Sequence, residues 1–237
     1  VFDGGTGDLR YATVRYGGNV NSINGNCSTS GMGFNVAVRN VQAGEVRLEH
    51  SRILSERFSC NGWTASDYGL YVNNGRVTVN STLFANNGNS SNDYAVYATG
   101  ASSVLTFDGN VLRNNVRGLQ LNGVASQTLR NNAVIDNQQG GVSIGSGTNA
   151  QMLHTTVARN GGDGITVANG GSASLVNTIL AENVTGLRVN AGGAATLSQT
   201  LWDDNGTDTV GAVNQTGSLT GLAAFDNDGY HLTRYST

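Results

Sequence analysis

Apolar residues in this chain recur at intervals that fit neither a helix nor a long alternating strand. A short block repeats instead: one small polar residue, three or four strand-like residues, then Asn. It reads Thr82-Leu-Phe-Ala-Asn-Asn87, Asn110-Val-Leu-Arg-Asn-Asn115, Asn132-Ala-Val-Ile-Asp-Asn137, Thr155-Thr-Val-Ala-Arg-Asn160, Thr178-Ile-Leu-Ala-Glu-Asn183 and Thr200-Leu-Trp-Asp-Asp-Asn205. From Asn110 onward the blocks start 22 or 23 residues apart. Upstream, Ser51 and Ala12 fit as earlier block starts, with longer gaps that imply insertions.

This register defines three apolar columns. Three residues before each block start stand Leu9, Leu48, Val79, Phe107, Leu129, Met152, Leu175 and Leu197. Two residues after it stand Val14, Ile53, Phe84, Leu112, Val134, Val157, Leu180 and Trp202. A third column follows a Gly or small residue: Phe34/Val36, Leu70/Val72, Val96/Ala98, Leu119/Leu121, Val142/Ile144, Ile165/Val167 and Leu187/Val189. A spacing of two points each set to one side of a strand. Three short strands per turn, each burying one face, predict a three-sided solenoid in which every coil pairs with its neighbours. A leucine-rich-repeat horseshoe has a similar period, but its Leu-x-x-Leu-x-Leu spacing occurs in no coil.

The Asn that closes each block forms its own column: Asn87, Asn115, Asn137, Asn160, Asn183 and Asn205. An amide carries both donor and acceptor, so stacked copies can hydrogen-bond along the axis and satisfy a buried turn. The chain reads as one domain over 1–237. Coils across 9–95 are irregular, with excursions near 19–33, 55–68 and 88–94. Coils across 96–205 are regular, and 206–237 loses the register and is expected to cap or wrap the last coil.

Composition narrows the chemistry. The chain contains no Pro, and all 13 of its basic residues are Arg. A missing Pro suits a strand-rich chain, because Pro cannot donate to a ladder. A missing Lys excludes a lysine base or Schiff base. A net charge of −3 argues against nucleic-acid binding through phosphates. No apolar run is long enough to span a membrane. The two cysteines, Cys27 and Cys60, both stand in polar loop-like segments without metal-ligand spacing. They predict a disulfide between neighbouring insertions, with two free thiols as the alternative.

The coil pattern, together with the opening Leu9-Arg-Tyr-Ala-Thr-Val-Arg-Tyr-Gly-Gly18 and the tail Phe225-Asp-Asn-Asp-Gly-Tyr-His-Leu232, resembles the pectin-lyase-like superfamily. It is most similar to repeat regions of large secreted bacterial β-helix proteins. The resemblance implies an all-β, right-handed parallel β-helix and a secreted or cell-surface bacterial setting. It also implies that polysaccharide lyase or hydrolase activity must be weighed, although fold alone is a weak guide to function.

Lyases of this superfamily imply converging carboxylates for Ca²⁺ and a basic residue. Asp136, Arg159 and Glu182 are vertical neighbours, with Arg159 between two carboxylates. They are catalytic candidates, and a surface ion-pair ladder is the plainer reading. Asp203-Asp204 is a carboxylate pair, but successive strand residues diverge. His154 stands in a column with Asn131 and Asn177 and reads as a polar turn residue. No cofactor is expected, Ca²⁺ being the one candidate. Tyr71, Tyr97, Trp63 and Tyr68 are binding candidates: Tyr71 and Tyr97 alternate with inward residues, so they should face outward beside Arg and Asn.

The reading that results is a non-catalytic extracellular module for adhesion, surface architecture or glycan contact. A polysaccharide lyase or related carbohydrate-active enzyme is the alternative. Expected partners are polysaccharide, and flanking domains or further copies of the chain stacked end to end on the strand-like start at Val1-Phe2.

Overall fold

The computed structural model describes residues 1–15, 21–23, 26–28, 33–55, 68–88 and 90–236, with 21–23 and 26–28 described through their backbone alone. Among these residues the chain winds through three parallel sheets of nine strands each. One coil of the regular part runs Arg117–Asn122 in the first sheet, Ser126–Arg130 in the second and Ala133–Ile135 in the third. A two-stranded antiparallel pair, Asn21–Ile23 with Asn26–Ser28, lies in the first excursion. Cys27 is in its second strand, whereas Cys60 and Trp63 lie outside the described residues, and so does their proposed disulfide or binding role.

The apolar columns stack in register. In the second sheet Leu129 pairs Met152, Met152 pairs Leu175 and Leu175 pairs Leu197. In the third, Val134, Val157, Leu180 and Trp202 follow one another. These side chains are buried in one continuous core. Removing a Val- or Leu-sized side chain from water is worth about 1.5–3 kcal/mol, and each three-residue strand gains it only because the coils above and below complete the core. One column position needs correction. The first sheet pairs Val36 with Leu70 and Val38 with Val72, so the inward pair is Val36/Val38. Phe34 instead pairs with Tyr68 on the outside, where its apolar ring joins other aromatics.

Two corners of the prism share one construction: a residue with left-handed φ, then a buried polar residue. Before the third sheet the left-handed residues include Asn131, His154, Asn177 and Gln199 (φ 50–56°), followed by buried Asn132, Thr155, Thr178 and Thr200. After the third sheet they are Asn86, Asn114, Asp136, Arg159, Glu182 and Asp204 (φ 45–59°), followed by the Asn column. An L-residue in this region costs roughly 1–2 kcal/mol, so something must hold each corner. After the third sheet the Asn column does so. Each amide nitrogen donates to the next amide oxygen at 2.9–3.1 Å from Asn87 through to Asn205. Each also donates to a main-chain carbonyl, as Asn137 does to Leu112. Along the column each amide donates to the Asn one coil nearer the C-terminus, and Asn205 at its end donates to Leu180 O and Asp208.

The register expected to break after Asn205 continues for one further coil. Thr207–Val210, Asn214–Thr216 and Leu219–Thr220 each pair with their sheet. Its column positions are polar, however: Thr209 follows Leu187, Gln215 follows Leu197 and Thr220 follows Trp202. Polar residues at these places let the stack end against water, as a terminal repeat must. The chain then turns back as a hairpin, with Phe225 bridged to Leu232 and Thr233 N donating to Ala224 O at 2.7 Å. It lies on the outer face of the third sheet, where Ala223, Phe225 and Tyr230 pack on Ala133, Ile135, Ala158 and Ala181.

The tip of this hairpin should be acid-sensitive. Main-chain N–H groups of His231 and Tyr230 donate to Asp228 and hold its carboxyl down to about 2. A depressed carboxylate stabilises fully above its unfolded pKa of about 3.9, and that contribution is lost as pH falls through the folded value. Amide exchange at Tyr230 and His231 should therefore stay slow at pH 5 and quicken, relative to core amides, as pH falls from about 4 to 2. Asp228→Asn should abolish that pH dependence.

Candidate functional site

The outer face of the first sheet carries two side-chain rows along the axis. One row runs Phe34, Tyr68, Tyr94, Arg117, Gly140, Asp163, Thr185. The other runs Ala37, Tyr71, Tyr97, Gln120, Ser143, Thr166, Arg188. Between the rows the strand bends inward. A Cβ on Gly118 would lie 2.4 Å from Val134 Cγ1 and 2.5 Å from Gly141 O, which is why this place must stay small. The bend separates the two outward rows.

At its N-terminal end the face is aromatic. Tyr68 lies 5.3 Å from Tyr97 and 5.9 Å from Tyr71, and Tyr94 lies 6.4 Å from Tyr97, centroid to centroid. Arg39 sits over Phe34 and Tyr71 at 4.9 and 5.5 Å. Tyr71 does face outward from its sheet, but it is only 7% exposed, because neighbouring rings and Arg39 cover it. Tyr97 and Tyr68 are half-buried.

Toward the C-terminal end the face is polar. Gly140 lacks a side chain between Arg117 and Asp163. The gap is a depression of about 240 Å³ lined by Tyr94, Arg117, Gln139, Ser143, Asp163 and Thr166. Asp163 is gripped by Arg188, Nε to Oδ2 at 2.6 Å and Nη2 to Oδ1 at 3.1 Å, and accepts from Thr166. Burial pushes the Asp163 carboxyl up, but hydrogen bonds from Arg188, Thr185 and Thr166 with the Arg188 charge outweigh it and hold the carboxyl low. The same hydrogen bond raises Arg188 above its usual value. Arg188, a cation as any arginine is, is thereby committed to Asp163.

The three catalytic candidates are brought together, on a different face. Arg159 Nε lies 2.8 Å from Asp136 Oδ1, and its Nη1 lies 4.0 Å from Glu182. Its Nη2 donates to Gly229 O at 2.7 Å, and the guanidinium lies 5.2 Å from the Phe225 ring centroid. All these contacts turn Arg159 toward the protein, where it pins the terminal hairpin. Asp203 is also occupied, accepting Ala223 N at 2.9 Å. Among the described residues, no three His, Cys, Asp or Glu side chains stand close enough to hold a metal ion. His154 occupies a left-handed corner position.

Sequence reasoning passed over Arg117, Asp163 and Arg188. The signal was present for Arg188, which stands between the inward pair Leu187/Val189, but not for Arg117 and Asp163, which share the parity of inward residues and face out only because the strand bends between them. A glycine gap emits no such signal, so the depression at Gly140 is visible only in three dimensions.

A family described as a right-handed beta helix region matches residues 57–201, well over half of the chain. No curated protein matches it. Among solved structures, ORF18 of Geobacillus virus E2 is similar with a TM-score of 0.42 and 11% identity, over 74% of this chain and 38% of that one. The chain thus spans about two fifths of that protein's length. No helix among the described residues is long and apolar enough to cross a membrane. With its three stacked parallel sheets, its Asn column and this match, the chain belongs to the right-handed β-helix family.

Proposed function

We propose that the chain is a non-catalytic module of an extracellular or cell-surface bacterial protein, and that it contacts glycan through the outer face of its first sheet. The observation that carries this reading is the succession along that face: half-buried Tyr97 beside Tyr94 is followed coil by coil by Arg117, Gln120, Ser143 and Thr166. Aromatic rings give a sugar an apolar platform, and amides and hydroxyls match its hydroxyl groups. Rows repeating about every 4.8 Å suit an extended chain lying along the axis.

The enzymatic alternative requires an available base. Arg188 is committed to Asp163, and Arg159 is spent on Asp136 and the hairpin. The same reading assigns the first coil a stacking role. Its column residues Phe2, Leu9 and Val14 are apolar and only half-buried, unlike the polar last coil, and suit a further coil from a flanking domain or another copy.

Affinity electrophoresis through gels containing neutral and acidic polysaccharides tests the reading. At least one polymer should retard the protein, and Tyr97→Ala should weaken that binding about tenfold, the loss of one stacked contact of roughly 1–1.5 kcal/mol. Retardation equal for wild type and Tyr97→Ala would place the contact elsewhere and overturn the reading.

A further inference from the structure

The apolar strip on the outer face of the third sheet is longer than the hairpin that covers it. Leu83, Val111 and Ala133 follow one another in register at outward places, beside the inward Phe84, Leu112 and Val134. Phe225 and Tyr230 pack on the cluster that holds Ala133, with Val111 at its margin, and Leu83 is the next outward residue. There the hairpin tip and the sheet border a depression of about 350 Å³ lined by Leu83, Gly109, Val111, Arg113, Asp228 and Tyr230. Leu83, Val111 and the Tyr230 ring make it partly apolar, and Gly109 adds no side chain at the corner. Two opposite charges border it. Asp228 Oδ1 accepts the main-chain N–H groups of Tyr230 and His231, each at 3.0 Å, and its Oδ2 meets His231 Nδ1. The two main-chain donors are neutral, so they orient the carboxylate and leave its charge. Arg130 and Arg159 pair with Asp108 and Asp136, whereas Arg113 makes no ion pair or hydrogen bond among the described residues.

We infer that this depression binds a zwitterionic amino acid with an apolar side chain, its ammonium toward Asp228, its carboxylate toward Arg113 and its side chain on Leu83, Val111 and Tyr230. The site lies on another sheet than the glycan-contact face and is independent of it. A guanidinium offers a carboxylate paired N–H donors, and charge-assisted hydrogen bonds of this kind are about twice as strong as neutral ones. An ionised carboxylate keeps lone pairs for further donors after accepting two, and an ammonium supplies them. Half-buried Leu83 and Val111 lose contact with water when an apolar side chain covers them, which favours binding. A volume of about 350 Å³ lies at the small end of ligand pockets, about 300–1,000 Å³, and suits one amino acid. The two charges also set the selectivity. A wholly anionic ligand meets Asp228 as a like charge, and a wholly cationic one meets Arg113, so only a ligand with both signs satisfies both walls.

Calorimetry on the full chain with four probes provides the test: L-phenylalanine, phenethylamine (no carboxylate), 3-phenylpropionate (no ammonium) and N-acetylphenylalanine amide (neither charge). Phenylalanine should bind most tightly, and loss of either charge should weaken binding about tenfold, the worth of one charge-assisted hydrogen bond. Arg113→Gln should weaken phenylalanine about tenfold and leave phenethylamine unchanged, a split that a merely structural role would not produce. Asp228→Asn should weaken phenylalanine and phenethylamine and leave 3-phenylpropionate unchanged. Because Asp228 also orders the hairpin tip, Leu83→Trp serves as a second check: it fills the depression from the sheet side and should abolish binding of every probe. Arg130→Gln, on another sheet and paired with Asp108, should change nothing, and circular dichroism should show every variant folded. Equal binding of the four probes, phenylalanine binding untouched by Arg113→Gln, or no binding of phenylalanine at millimolar concentration would each overturn the site. Retardation by polysaccharide should be the same for all these variants, so the first-sheet reading is judged by its own experiment.

Discussion

Asn137→Ala should destabilise the protein by about 3–5 kcal/mol, far more than a surface Asn would. Asn137 donates to Asn160 Oδ1 at 2.9 Å and to Leu112 O at 3.2 Å, and it accepts from Asn115 N and Asn115 Nδ2 at 3.1 and 3.0 Å. It is 1% exposed, so water cannot replace the lost partners. A typical hydrogen bond contributes about 1 kcal/mol net, and each buried group left unpaired costs about 1–3 kcal/mol. The neighbouring corner residues Asn114 and Asp136 are in left-handed conformations that the column holds in place, so their strain adds to the loss. Urea denaturation followed by circular dichroism reads the change. A loss below about 1 kcal/mol would show that the column is a passive filler of the turn.

Leu180→Ala should cost about 2–5 kcal/mol by opening a cavity. Leu180 is fully buried between Val157 and Trp202 in the third-sheet column. The coils are joined by main-chain ladders above and below, so the backbone cannot collapse freely into the space, and the upper half of the range is expected. Its measurement is the same denaturation experiment, and a near-zero effect would contradict the assigned register.

Most of the architecture was legible because the solenoid repeats its instructions. A period of 22–23 residues with inward places two apart fixed three columns, and the paired strands reproduce them residue by residue from Leu129 to Leu197 and from Val134 to Trp202. The same logic misplaced Phe34, because an outward ring packing on other rings looks, in one dimension, like an inward residue. It lost the last coil, because Thr209, Gln215 and Thr220 stand where the column had been apolar. The chain ends its core by removing the very signal that marks it.

The candidate site was less legible for a related reason. Tyr71 and Tyr97 were recognised as outward, but only coordinates show that stacking buries the first and leaves the second half-open. Asp136, Arg159 and Glu182 were recognised as neighbours, yet the contact that defines Arg159 comes from Gly229, 70 residues away. The depression at Gly140 depends on a missing side chain flanked by Arg117 and Asp163, two coils apart. Periodicity reports what is repeated, whereas a binding site on a solenoid is made by departures from the repeat.

The central claim is that this face binds without turning over what it binds. Purified protein should be incubated with the polysaccharide panel, neutral and acidic, with and without Ca²⁺, and the products followed by ultraviolet absorbance of unsaturated ends and by polymer size. The account predicts retardation of the protein by at least one polymer whose chain length and absorbance remain unchanged. Appearance of shortened or unsaturated products, lost on Arg159→Ala or Arg188→Ala in folded protein, would contradict it.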